Sequence, residues 1–301
     1  FYKIGLKIME LLKLIEKLHL GAIVYRPRIK YSKSLDADRR AFNAYKYLSK
    51  RYEPQYKKEE MNTSNYIWIC WLQGIEQSPE VVRACLNSVK KNCKGKEIIF
   101  LDENNLDNFI NLPDYILTKW KQGIISNAQF SDIVRADLLT SFGGVWIDAT
   151  VFLTAPIEDY INEADLFAFR TTFNDSKEAP ILISSWFISS KKNNPIITET
   201  RRLLLEYWKE HNVLINYYLF HLFFSMVIRS FPNEWENVPR QTNGNSHLLQ
   251  FRLNEKYEEN EFSNLCKLTN IHKLTYKDVR YNPGTYSHFL VKTVVDLGDE
   301  V

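Results

Sequence analysis

YIWICWLQGIEQSPEVVRACLNSVKKNCKGKEIIFL, residues 66–101, decides the fold class. Tyr66–Trp71 is an unbroken apolar run of strand length, stopped by Gln73-Gly74. A strand apolar on both sides needs cover on both faces, as strands of parallel sheets do. Pro79 opens a helix that the spacing of Val81, Val82, Leu86 and Val89 carries to about Lys91. KEIIFL, Lys96–Leu101, is a second strand of the same kind and ends at Asp102. Strand, helix, strand in this order predicts a parallel pair with a right-handed crossover.

Downstream the alternation continues. A helix is expected from about Ser126 to Phe142, ended by Gly143-Gly144 and followed by a short strand, Val145–Asp148. Leu166–Arg170 and Ile181–Ile188 read as strands, Ile196–His211 and Val213–Arg229 as helices. From about Asn254 the pattern is weaker and polar, with a strand-like Lys273–Tyr276. There are no internal repeats. The expectation is an α/β protein, with a three-layer α/β/α domain over residues 66–301 and a helical extension over residues 1–60.

Within that extension, Ile4, Ile8, Met9, Leu11, Leu12, Ile15 and Leu18 form an apolar stripe with lysines beside or opposite it. Two readings stand: a helix packed on the main domain, or one lying on an anionic bilayer with its lysines at the headgroups. Tyr25–Glu60 is basic and reads as further helix plus linker. Lys3, Lys7, Glu10 and Lys13 interrupt the first apolar run, so it does not read as a secretory signal. No stretch holds ~18 uninterrupted apolar residues, so no spanning helix is expected.

Composition narrows the function. With 45% hydrophobic and 25% charged residues the chain is globular, neither disordered nor a polytopic membrane protein. A net charge of +3 over 301 residues is too small to argue for nucleic-acid binding. Cys70, Cys85, Cys93 and Cys266 form no C-x-x-C, which argues against a zinc site and for free thiols in a reducing compartment.

Chemistry concentrates in NAQFSDIVRADLLTSFGGVWIDATVFL, Asn127–Leu153. At helical spacing Ala128, Asp132, Arg135, Ala136 and Leu139 share a face, and Asp137 points the opposite way. A charged pair on an apolar face is costly unless paired or met by a ligand. A carboxylate at the C-terminal end of a strand in an open α/β sheet, as at Asp148, sits where ligands bind. Gly143-Gly144 lets another chain segment or a ligand come close to the backbone. Trp146, two residues before Asp148, projects to the same face.

Together these residues resemble the signature of bacterial capsular polysaccharide synthesis proteins and the related toxin-like and mannosyltransferase-like sugar transferases. That signature is S-D-x-x-R, a hydrophobic helix, then G-G-x-(aromatic)-x-D-x-D. It stands as Ser131-Asp132, Arg135, Gly143-Gly144, Trp146, Asp148 and Thr150. Ile67-Trp68 and Trp71-Leu72-Gln73-Gly74 resemble the family's first strand, and Ile271–Lys277 a weaker C-terminal match. The resemblance implies a GT-A fold, a UDP-sugar donor, a divalent metal (Mn²⁺ or Mg²⁺) and retention of configuration. On it, Trp71 stacks on uracil, Asp132 and Arg135 hold the sugar hydroxyls, and Trp146, the aromatic before the acidic motif, counts among the donor-binding residues. Asp148 contacts the ribose and the metal shell.

Thr150 departs from the pattern, standing where the second Asp would bind metal; a hydroxyl is a poorer ligand for a hard cation. Either Asp148 and His272 hold the metal, or it binds weakly, or none is needed. Lys273 is placed to meet the diphosphate. Ser184, Ser185 and Trp186 are strand core or cleft lining, and His221, with Asn216, Tyr217 and Tyr218 on one helix, is core or acceptor contact. The implied reaction moves a hexose, galactose first and glucose second, to a polyprenyl-diphosphate-linked saccharide at the inner face of the plasma membrane. The protein would be cytoplasmic and peripheral. The alternative is a non-catalytic sugar-nucleotide or glycan-binding module with a degenerate D-x-D.

Overall fold

The computed structural model describes residues 33–171 and 179–295; the expected helix over residues 3–20 lies outside them. In chain order the elements are α1 (Lys33–Arg51), β1 (Tyr66–Cys70), α2 (Glu80–Asn92), β2 (Glu97–Leu101), α3 (Asp114–Lys121), α4 (Asn127–Ser141), β3 (Gly144–Ile147) and β4 (Val151–Leu153). Then follow α5 (Asp159–Glu163), β5 (Leu166–Arg170), β6 (Ile183–Ser190), α6 (Pro195–Glu210), α7 (Leu219–Ser230), α8 (Pro232–Glu236), α9 (Leu248–Arg252), α10 (Glu259–Leu268), β7 (Ile271–Lys273) and α11 (Tyr286–Val295).

The main sheet has the order β2-β1-β3-β6-β5. The β1–β2 and β1–β3 pairs are parallel, as the first strand–helix–strand unit predicts; β6 runs antiparallel to both β3 and β5. Strand alternation divides the apolar side chains between two cores. Trp68, Trp146, Ala168 and Ile188 face one layer of helices with α4, α6 and α7, while Ile67, Ile69, Val145, Ile147, Phe167 and Phe187 face α2 and the C-terminal elements. These two cores, one on each face of the sheet, make the three-layer α/β/α arrangement. Each fully buried large side chain contributes roughly 1.5–3 kcal/mol. The α1 helix buries Ala41, Ala44 and Leu48 in the first core, and Arg51 and Tyr52 at its end bond Glu210 of α6.

Three elements differ from expectation. The helix expected from Val213 begins only at Leu219. The Tyr207 hydroxyl donates to the Val213 carbonyl (2.5 Å) and accepts from the Ile215 amide (2.9 Å), while Asn216 accepts from the Tyr218 amide (2.9 Å). These side-chain bonds hold an apolar segment as a turn. Asn216, Tyr217 and Tyr218 therefore precede the helix that carries His221. The C-terminal strand lies earlier than expected, at Ile271–Lys273, because it pairs with the three-residue β4. The strand expected at Ile181–Ile188 runs two residues later, Ile183–Ser190. Cys70, Cys85, Cys93 and Cys266 are all free.

Candidate functional site

Helix α4 is capped by Ser126, whose hydroxyl accepts from the Gln129 amide at 3.4 Å. Ile133, Val134, Ala136, Leu138 and Leu139 are all buried, so the helix runs through the protein and not along its surface. Any charged side chain on it must find a partner or a cleft. Asp137, on the far side, is fully buried and bonded by Arg201 Nε at 2.6 Å and the Asn111 amide at 2.9 Å. Asp132 and Arg135 face the end of β3 and ion-pair with each other.

Gly143 and Gly144, both at positive φ, carry the chain from α4 into β3. A Cβ at Gly143 would lie 2.5 Å from the Lys192 amide, and one at Gly144 would run into the Tyr66 carbonyl. The close approach these glycines permit is thus between chain segments, β3 against β1 and the end of β6, and no ligand is involved. It fixes the height at which Asp148 leaves the sheet. The Asp148 amide still bonds the Trp186 carbonyl at 2.8 Å, and the Val151 amide closes a turn onto the Asp148 carbonyl at 2.9 Å.

At that turn four charged groups converge. Arg135 Nη2 reaches Asp148 Oδ1 at 3.1 Å, and Trp146 Nε1 donates to the same oxygen at 2.9 Å. Lys273 Nζ lies 2.9 Å from Asp148 Oδ2 and 2.7 Å from Thr150 Oγ1. The Arg135 guanidinium sits over the Trp146 ring, 4.7 Å from its centre. Burial opposes the charge on Asp148, yet Lys273 and Arg135 overcome it and hold the carboxyl well below the usual carboxylate range. Asp132 goes the other way: burial pushes its carboxyl up to about 6 against the pull of Arg135.

Above this cluster opens a cleft of about 360 Å³. Asp132, Arg135, Asp148, Thr150 and Lys273 line it from below, and Trp71, Tyr276, Tyr217, His221 and Ser185 also border it. Trp71 and Tyr276 meet edge to face, 5.3 Å between ring centres. Five residues singled out in the sequence, Trp71, Asp132, Arg135, Asp148 and Lys273, therefore share one cavity.

Two others do not reach it. Trp146 is buried behind the cluster and does not line the cleft; it positions Asp148 and Arg135, so the expectation of direct donor contact is corrected. His272 is also corrected. Strand alternation sends its side chain away from that of Lys273, and its Nε2 lies 3.3 Å from Thr154 Oγ1, buried off the cleft. Burial pushes its pKa down to about 4, which keeps the ring neutral near pH 7. Of the serine pair only Ser185 lines the cleft; Ser184 accepts from Asn243 at 2.8 Å, and Trp186 stacks on Phe169. Tyr276 was not foreseen as a site residue. Its signal was its place three residues after Lys273 in the C-terminal match.

The donor set at Asp148 does not fit a divalent cation. Both carboxylate oxygens already face cationic groups, and the Thr150 hydroxyl is taken by the Lys273 ammonium. Among the described residues no group of three or more His, Cys, Asp or Glu side chains converges to hold a metal. None of the described helices is long and apolar enough to cross a membrane.

Residues 29–289 match the profile of a family described as capsular polysaccharide synthesis protein. The O-glycosyltransferase braB of Annulohypoxylon truncatum is 22% identical over 168 residues, 50% of this chain and 39% of that protein, so the chain spans well under half of that relative's length. The solved structure of the PaToxG glycosyltransferase aligns with a TM-score of 0.41 and 17% identity, over 66% of this chain and 80% of that one. The family match runs from the start of the described chain through α1, the sheet and every residue of the cleft. This chain belongs to the capsular polysaccharide synthesis protein family.

Proposed function

We propose that the protein is a glycosyltransferase that moves a hexose from a UDP-sugar onto a lipid-linked saccharide in capsular polysaccharide repeat-unit synthesis. One observation carries the reading: Asp132, Arg135, Asp148 and Lys273 meet at the bottom of a single cleft that has an aromatic pair, Trp71 and Tyr276, on its border. An aromatic face suits a base, and fixed cations suit a diphosphate.

In this reading uracil lies on Trp71, the diphosphate meets Lys273, and Asp132 with Arg135 holds the sugar's hydroxyls. The bond between the sugar's anomeric carbon and the β-phosphate oxygen breaks, and its electron pair stays on the phosphate. The acceptor hydroxyl oxygen bonds the anomeric carbon and gives its proton to the departing diphosphate on the same face, which retains configuration. Lys273 and Arg135 offset the charge that grows on the leaving group, in a site partly closed to water. Asp148 keeps both cations in place. Galactose is the first choice of sugar and glucose the second; the two differ at one hydroxyl. The acceptor is a polyprenyl-diphosphate-linked saccharide at the inner face of the plasma membrane. The lysine-flanked apolar stripe of residues 4–18 supports peripheral attachment there.

A panel of UDP-sugars tests this. The full chain should release UDP from UDP-galactose fastest, with UDP-glucose next. UDP binding without release from any donor above background would replace the enzyme with a sugar-nucleotide-binding module. Attachment is a separate matter: deletion of residues 1–20 should reduce sedimentation with anionic vesicles, and unchanged partitioning would reject the anchor.

A further inference from the structure

We infer that Lys273 occupies the place of the divalent cation at the Asp148–Thr150 motif, so that the protein binds a nucleoside diphosphate without metal. The inference rests on the UDP-sugar reading and adds a property that reading does not require. The ammonium touches both the motif's carboxylate and the side chain two residues on, at 2.9 Å and 2.7 Å, ordinary distances for a charge-assisted hydrogen bond. An ammonium has three donors. Two are used on Asp148 and Thr150, and the third remains for a ligand in the cleft that Lys273 lines.

This lysine is built in by the fold. β7 pairs with β4 in a register that sets Lys273 opposite Val151, and the Leu274 amide bonds the Thr150 carbonyl at 2.8 Å. The motif's turn and the lysine are thus clamped backbone to backbone, and the Lys273 side chain is only 17% exposed. The chemistry of position 150 agrees. A second carboxylate there would favour a hard cation, whereas a neutral hydroxyl accepts from an ammonium and adds no charge to attract Mn²⁺ or Mg²⁺. A metal entering beside Asp148 would also meet the Arg135 guanidinium, 3.1 Å from the same carboxylate. The negative charge missing at Thr150 and the positive charge supplied by Lys273 are two halves of one exchange.

Calorimetric titration of the full chain with UDP, in Mn²⁺, in Mg²⁺ and in EDTA, decides the matter. The expected Kd values agree within about twofold across the three buffers, and Lys273→Met weakens binding in EDTA about tenfold or more, the loss of one charged contact. A Kd at least about tenfold weaker in EDTA, restored by Mn²⁺, would overturn the inference and leave the donor reading standing. UDP that binds in none of the buffers would overturn both. The wild-type comparison needs no substitution, so the folding of the variant does not decide it; a folded Lys273→Met chain that keeps wild-type affinity in EDTA also overturns the inference.

Discussion

Asp132 and Asp137 lie on the same helix, both are buried, and both pair with an arginine, yet they serve opposite ends. Asp137 binds across the fold. Its oxygens meet Arg201 of α6 and the Asn111 amide, so the pair ties α4 to two neighbouring segments. Asp132 pairs with Arg135 one turn along its own helix, a contact that joins α4 to nothing else. A local pair of that kind adds little to a fold, because burying two charges costs about as much as their attraction returns. What distinguishes it is the second arm of Arg135, which reaches Asp148 at the edge of the cleft. The Asp137 pair is long-range and closed; the Asp132 pair is local and opens onto the cleft.

The contrast breaks most sharply at Asp148, where the open network converges. Asp148→Ala should lower UDP-sugar turnover by about 10³-fold or more, since it releases both Lys273 and Arg135 from their positions. Its circular dichroism spectrum should match that of the wild type. Retained turnover would strip the motif of its role.

Next in size is the closed pair. Arg201→Ala leaves the fully buried Asp137 without its cation, and loss of one partner of a buried pair costs about 3–5 kcal/mol. Because Arg201 itself is 24% exposed, the low end of that range is expected in urea denaturation. Turnover per folded molecule should stay near wild type. A variant as stable as the wild type, but inactive, would reverse the two assignments.

Much of this was legible in the sequence for a physical reason. Tyr66–Cys70, Glu97–Leu101 and Leu166–Arg170 are apolar runs because the sheet is covered on both faces, and such runs need no alternation to be seen. Asp132, Arg135 and Asp148 are contiguous enough that one helix and one glycine pair fix their meeting. Legibility failed where a side chain's direction depends on a distant strand. His272 and Lys273 are neighbours, and only the pairing of β7 with β4 decides which faces the cleft. At three residues β4 is too short to carry a period, so the sequence alone puts both neighbours at the site and cannot tell that only Lys273 faces it. Tyr217 was set on a helix because Val213–Ile215 is apolar; the Tyr207 hydroxyl that holds this segment as a turn comes from another element. Tyr276 reaches the cleft from the segment that follows β7, where no strand period applies.

The smallest effect expected is a titration that separates the carboxylates by sign. Burial pushes the Asp132 carboxyl up to about 6, so the folded chain takes up its proton before the unfolded chain does. This group therefore favours the folded state as pH falls from about 6 towards 4, and costs stability as pH rises through that window. Asp148 behaves oppositely: its carboxyl is held low by Lys273 and Arg135, and the stability it lends is lost only in strong acid. If ionised Asp132 holds the sugar, kcat/KM for the donor should drop about fourfold between pH ~7.5 and ~5.5, following one proton with a midpoint near 6. Asp132→Asn should lower the plateau and remove that acid limb, while leaving stability at neutral pH within about 1 kcal/mol, because the charge it deletes was already disfavoured by burial. A kcat/KM profile flat down to pH ~5 would mean that the ionised form of Asp132 is not needed, and the open pair would then be no more functional than the closed one.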